Sequence, residues 1–385
     1  HSPVAGSSLG GLLRRFALSR YTGVLVGLAA ICVYLTLTQE VFLTWSNFQN
    51  IFRANAVVLI LAIGMTFVVI TAGIDLSVAS MTVAAGMVFG LCLQEGWPWI
   101  VVAAITIAMG LGMGLVNGLL IGVARISFFV VTLGTLSIYS SIALLTTFGE
   151  TISLYDKAAF ATSSSLANEN VFGVPRVLVL CAVLYAVGAF VLRYTRFGRS
   201  VYAVGSNPEA ARLAGVKLVT VLVAVYAISG LTAGLAALIQ TGRLGAAAPQ
   251  VDPTLMLTVV AAVLIGGTAY TGGEGGLLGT LIGVLFLGVV QNGLSLASVS
   301  SFWQGTVSGL ILIIAVGLGV LREHGWTLRR RRQILALEEP ESDDADRAAG
   351  REDERDRLEV ELTLARERVL QLEASLHRLA GDTPP

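Results

Sequence analysis

Side chains able to do chemistry are scarce in the body of this chain. His1, His324 and His377 all stand near its ends, which leaves the middle without the commonest general base and metal ligand. Cys32, Cys92 and Cys181 each sit in an apolar run, a setting that supports neither a disulfide framework nor a cysteine metal site. The only lysines, Lys157 and Lys217, belong to no Gly-x-x-x-x-Gly-Lys-Ser/Thr loop, so the usual phosphate cradle for ATP hydrolysis is missing. No catalytic residue, metal site or bound cofactor is expected. What remains is a handful of polar groups set in apolar sequence: Asp75 and Ser77 in Thr71-Ala72-Gly73-Ile74-Asp75-Leu76-Ser77, Asn117, and the pair Gln291-Asn292. A carboxylate in hydrocarbon costs ~3 kcal/mol or more unless it is paired, hydrated or capping a helix. Asp75 or Ser77 is therefore read as capping the next helix, with Gly73 permitting the turn, or as part of a solute path or its gate; the two roles are compatible. Asn117, Gln291 and Asn292 either tie helices together, at about 1 kcal/mol per hydrogen bond, or line a hydrated cavity for a hydroxylated solute. Val116-Asn117-Gly118-Leu119 and Gln291-Asn292-Gly293-Leu294 are alike enough to suggest an internal repeat.

The elements that must position these groups follow from composition. Of 385 residues, 55% are hydrophobic and 13% charged, with a mean hydropathy of +0.79; a soluble domain carries about 25% charged residues. The net charge of zero is a cancellation: residues 1–332 hold 18 basic and 10 acidic side chains, residues 333–385 hold 7 and 15. An ordinary globular enzyme and a nucleic-acid binder are both excluded. Crossing a hydrocarbon layer takes about 20 apolar residues. Stretches near that size lie at 21–38, 55–72, 77–94, 98–121, 128–147, 176–194, 218–239, 254–271, 277–296 and 303–321. The fold class expected is an all-α membrane protein of about ten spans. The first run, Tyr21 to Thr38, follows Arg14, Arg15 and Arg20 without a cleavage pattern and is read as a retained span. With the N-terminus inside, inner segments hold 14 basic residues and outer ones four, Arg53, Lys157, Arg176 and Arg243, which sets both termini in the cytoplasm. The 43 glycines, among them Gly110, Gly112, Gly114, Gly279, Gly283 and Gly288, suit close helix packing.

One polar stretch, residues 193–216, is punctuated like a short helix. Asn207 reads as its N-cap and Pro208 as its first residue, Glu209 suits the positive end of the dipole, and Gly215 stops it after about two turns.

Glu209-Ala210-Ala211, three further residues and Gly215 resemble the coupling helix of ABC importer permeases. Gly73-Ile74-Asp75-Leu76-Ser77-Val78 is similar to the Gly-Ile-Asp-Leu-Ser-Val-Gly signature of permeases of the ribose/xylose/galactose (monosaccharide) type. Phe129-Val130-Val131-Thr132-Leu133-Gly134 resembles that family's Phe-Ile-Val-Thr-Leu-Gly segment, and Gly266-Gly267-Thr268 with Gly272-Gly273-Glu274-Gly275 its glycine-rich turn. The four stretches fall in order, and the resemblance covers about residues 20–322. Ala79 replaces a common Gly, Ser127-Phe128 stands where a proline often precedes the third segment, and the acidic tail has no counterpart. The resemblance implies a permease subunit, not an enzyme, in a bacterial plasma (inner) membrane. It implies partners: ABC ATPase subunits that use ATP and Mg, an extracytoplasmic sugar-binding protein, and a second permease subunit, expected as a homodimer. ATPase coupling is then carried by Asn207, Pro208, Glu209, Ala210, Ala211, Arg212 and Gly215. The competing reading is an ion-coupled secondary transporter, but such proteins usually carry titratable groups within their spans, and here Asp75 sits at a turn and Glu95 near a span end.

After a linker at 323–356, basic and then acidic, residues 357–380 carry a heptad pattern. Leu362, Val369 and Leu376 fall at a, and Leu358, Ala365, Leu372 and Leu379 at d, an arrangement suited to a two-stranded parallel coiled coil. The chain thus divides into an N-terminal segment (1–20), a membrane domain (21–322), the linker and the coiled coil.

Overall fold

The computed structural model describes residues 22–155, 160–300, ten positions between 303 and 317, 354–373 and 375. They fall into two units, one within residues 1–318 and one within 319–385. The first is almost wholly helical: α1 (Thr22–Thr38), α2 (Trp45–Ile70), α3 (Val78–Gln94), α4 (Trp99–Gly122), α5 (Phe128–Leu145), α6 (Phe160–Asn168), α7 (Arg176–Tyr194), α8 (Arg196–Ser206), α9 (Pro208–Leu213), α10 (Leu218–Leu244), α11 (Pro253–Ile265) and α12 (Leu277–Leu296). Two antiparallel pairs of two-residue strands fasten the connections, β1 (Ile152–Ser153) with β4 (Ala246–Ala247) and β2 (Asn170–Val171) with β3 (Val174–Pro175).

Six of these helices, α2, α4, α5, α7, α10 and α12, are long and apolar enough to cross a membrane; α1, α3 and α11 are apolar but shorter, at 17, 17 and 13 residues. The protein is a multi-pass, all-α membrane protein. The tenth stretch, at 303–321, lies partly outside the described residues and is helical at the positions described between 303 and 317. Polar punctuation sets the boundaries. Thr44 accepts a hydrogen bond from the Asn47 amide to start α2, and Asp252 accepts one from the Thr254 amide to start α11 at Pro253. Gly245, with φ +66°, ends α10. Two boundaries differ from the apolar runs. Helix α2 begins ten residues earlier, at Trp45, because the side-chain amides of Asn47 and Gln49 find acceptors outside the helix, Phe42 O and Gly173 O. Helix α11 stops at Ile265, short of 271, where Gly266 and Gly267 break it.

Helices α2 and α10 form the centre. The apolar window of α2 is 89% buried and that of α10 67%, against 28% for α5 and α7, whose outward Val130, Val183 and Val187 suit a lipid surface. Glycine makes the tightest crossing. A methyl group added at Gly110, Gly114 or Gly230 would strike the backbone of the facing helix, so α4 and α10 touch main chain to main chain. Gly112, expected to share in this, has open space at its Cβ and does not.

Candidate functional site

Helix α2 ends at Ile70, and the segment Thr71–Ser77 carries the chain to the start of α3. Asp75 is completely buried. Its Oδ1 accepts from the Ser77 amide at 3.0 Å and the Ser77 hydroxyl at 2.6 Å; its Oδ2 accepts from the Ser229 hydroxyl of α10 at 2.7 Å. Ser77 Oγ in turn accepts from Asn117 Nδ2 of α4 at 2.8 Å. The carboxylate thus precedes the first turn of α3 in an Asx turn, while Ser77, at the cap position itself, makes no side-chain cap bond. No basic side chain is ion-paired with Asp75 among the described residues. Three donors take the place of a counter-ion, each hydrogen bond to a charged group being worth ~1.5–3 kcal/mol. Ser229 lies eleven residues beyond Leu218, about 16 Å along α10. The carboxylate therefore sits near the middle of the longest helix. Two buried polar atoms beside this cluster, Asn117 Oδ1 and Tyr226 Oη, have no hydrogen-bond partner among the described residues. The Tyr226 hydroxyl lies over Gly73, where an added Cβ would stand 2.7 Å from it.

The punctuated stretch at 193–216 folds as two helices, not one. Thr195 accepts from the Gly198 amide to begin α8, a helix the sequence reading did not separate. Asn207 then caps α9, its side chain accepting from the Ala210 amide at 3.0 Å. Pro208 opens the helix, Glu209 pairs with Arg212, and Gly215, at φ +82°, closes it while the Val216 amide reaches back to Ala211 O. Ala211 is buried; Pro208, Glu209, Ala210 and Arg212 are exposed, as is Leu213 at 78%. Leu213 was not among the expected residues. An exposed leucine beside an ion pair is a surface feature that spacing alone does not reveal.

The two sites are joined. Gly273 N donates to Ile70 O at 2.8 Å, and Tyr202 Oη of α8 donates to Gly275 O at 2.9 Å. Gly205, next to the end of α8, passes so close to Ile70 and Gly273 that a Cβ there would overlap both backbones. A Cβ at Gly272, at φ +84°, would stand 2.8 Å from Ala72, itself in the left-handed region at φ +61°. The glycine turn 272–275, the foot of α2 and the end of α8 therefore form one close-packed junction. Four residues, Thr71 to Ile74, lie between Ile70 and Asp75. The sequence marks the glycine turn and the segment after α2 but gives no sign that they meet the end of α8.

Gln291 and Asn292 stand elsewhere. Asn292 makes a reciprocal amide pair with Asn47, at 3.0 and 2.8 Å; Gln291 is half-buried beside it. Asn47 is 23 residues before Ile70, about 34 Å along α2. The five residues read as capping or tying helices, or as part of a solute path or its gate, thus divide between the two ends of α2. Among the described residues no cluster of His, Cys, Asp or Glu could hold a metal ion.

Residues 47–316 match the family described as branched-chain amino acid transport system / permease component. Among curated proteins, the chain is 32% identical over 291 residues to the ribose import permease protein of Haemophilus influenzae, covering 76% of this chain and 90% of that one. It is 35% identical to the ribose import permease of Bacillus subtilis, covering 76% and 91%. It is 31% identical to the xylose transport system permease of Escherichia coli, covering 76% and 90%. No solved structure matches the chain significantly. The buried Asp75 cluster, the capped α9 and the glycine junction all lie inside the matched region, and the chain belongs to this family of membrane transport permeases.

Proposed function

We propose that the chain is the pore-forming subunit of an ATP-driven importer for a monosaccharide of the ribose or xylose kind. The identities to ribose and xylose permeases along nine-tenths of their length support a sugar over the amino acids in the family's description. In this reading the chain crosses the bacterial plasma membrane about ten times with both termini inside. It pairs with a second permease subunit, meets ATPase subunits that bind ATP and Mg, and receives sugar from an extracytoplasmic binding protein. The chain binds no nucleotide itself.

The observation that carries the coupling role is the junction of α8, Ile70 and the 272–275 turn. A force on α9 passes through Asn207 to α8, whose end is packed on Ile70 and Gly273. From there four residues lead to Asp75, which holds α10 through Ser229 and α4 through Ser77 and Asn117. Closure of the ATPases thus shifts the 71–77 segment and exchanges the partners of a buried carboxylate. The Tyr226 hydroxyl, a donor without a partner among the described residues, is at hand for the second arrangement.

Replacing Glu209 and Gly215 together tests the reading in vesicles that hold the assembled transporter. Sugar uptake and sugar-stimulated ATPase activity are expected to vanish while the permease stays folded and inserted. Normal uptake, or uptake that survives ATP depletion and collapses with an uncoupler, would overturn it.

A further inference from the structure

The second unit contains a helix over residues 354–373, about 30 Å long. In proteins most of a helix's stability comes from packing its apolar face rather than from propensity. Its seam residues Leu358, Leu362, Val369 and Leu372 are 54–63% exposed, and Ala365 is exposed with them. The stripe follows the heptad: Leu362 and Val369 at a, Leu358, Ala365 and Leu372 at d, with Arg355 one heptad earlier ending it. Leu376 and Leu379, which extend the pattern, lie outside the described residues. Val360, Leu364 and Leu370 are also exposed, but their spacings of four and six fit no heptad.

The flanking charges select the occupant. In a parallel pair, each g residue faces the e residue of the next heptad on the other strand. Glu361 then faces Arg366, and Arg368 faces Glu373; both pairs are opposite in sign, and the two-fold repeats each. Val369 at a beside Leu372 at d suits two parallel strands. We propose that this helix recognises the same helix in a second copy of the chain, as a parallel two-stranded coiled coil that selects like permease subunits over unlike ones. The proposal rests on the reading that two permeases share one complex. Tails leaving one side of a membrane in the same direction are then already parallel, and tethering supplies the effective concentration that three heptads lack.

The test uses the full-length chain in membranes. L358C and L372C are expected to form disulfide-linked dimers on mild oxidation, whereas E367C, at f, is not. A copy carrying E361R and R368E should cross-link poorly to itself. It should cross-link at least about fivefold better to a copy carrying R366E and E373R, because that mixture restores both pairs in both directions. No cross-link at 358 and 372, an equal yield at 367, or indifference to the charge exchange would overturn the proposal. Pairing of the membrane units is read separately, by capture of an untagged L362E/V369E copy with a tagged one. Capture without tail cross-links overturns the tail proposal alone, and no capture even with intact tails overturns the pairing on which it rests.

Discussion

Ser229 Oγ donates to Asp75 Oδ2 at 2.7 Å across 154 positions of sequence. That bond ties the segment after α2 to the middle of α10, at a point where Asp75 is sealed from solvent. A sealed carboxylate held only by hydroxyls and an amide can change partners without breaking an ion pair.

S229A removes the donor to one carboxylate oxygen and should lower permease stability by about 1–3 kcal/mol. D75N, which keeps the size but not the charge, should cut uptake at least about tenfold, since charge-assisted bonds are roughly twice as strong as neutral ones. Thermal unfolding in detergent and uptake in vesicles check the two; unchanged behaviour of both variants would leave the cluster without a role.

The Tyr226 hydroxyl has no partner among the described residues, so Y226F should alter stability by less than about 1 kcal/mol. Uptake should nonetheless fall severalfold if the hydroxyl serves the alternative arrangement. Full uptake by Y226F would assign the hydroxyl to packing.

Gly205 offers a sharper contrast. G205A places a methyl group against two backbones and should destabilise by ~1–3 kcal/mol or more while uncoupling ATP hydrolysis from uptake. G112A, in a helix with open space at its Cβ, should be neutral or stabilising by up to about 1 kcal/mol. Equal effects of the two substitutions, measured by melting and by the ratio of ATP hydrolysed to sugar moved, would refute the junction.

The Asn47–Asn292 pair predicts stability without function. N292L should cost about 1–3 kcal/mol, because Asn47 Oδ1 loses its donor, while the double change N47L/N292L should recover much of that loss. Uptake by the folded protein should stay near normal in both. A selective loss of uptake with an unchanged melting point would return Asn292 to the solute path.

Much of this was legible in the chain because membrane helices announce themselves by apolar length, and caps by short polar signals. Asn207, Pro208 and Gly215 define α9 from sequence alone, and Asp75, Ser77 and Asn117 stand out as polar groups in apolar surroundings. Ser229 and Tyr226 do not stand out. A serine in Ala227-Ile228-Ser229-Gly230 looks like any small residue at a helix crossing, and only tertiary structure shows which carboxylate it meets. The span limits were blurred for a related reason. Asn47, Gln49 and Asn55 find partners within the protein, so α2 extends through residues that hydropathy would leave outside. The meeting of Gly205, Ile70 and Gly273 is a contact among backbones, which leaves no mark in composition beyond glycine itself.

The crossing of α4 and α10 at Gly110, Gly114 and Gly230 has a mechanical corollary. Two helices in main-chain contact along several turns have no side-chain cushion to slide on, so they travel as a single strut. Any rocking that opens one face of the membrane and shuts the other must then be borne by the more loosely packed elements around that strut.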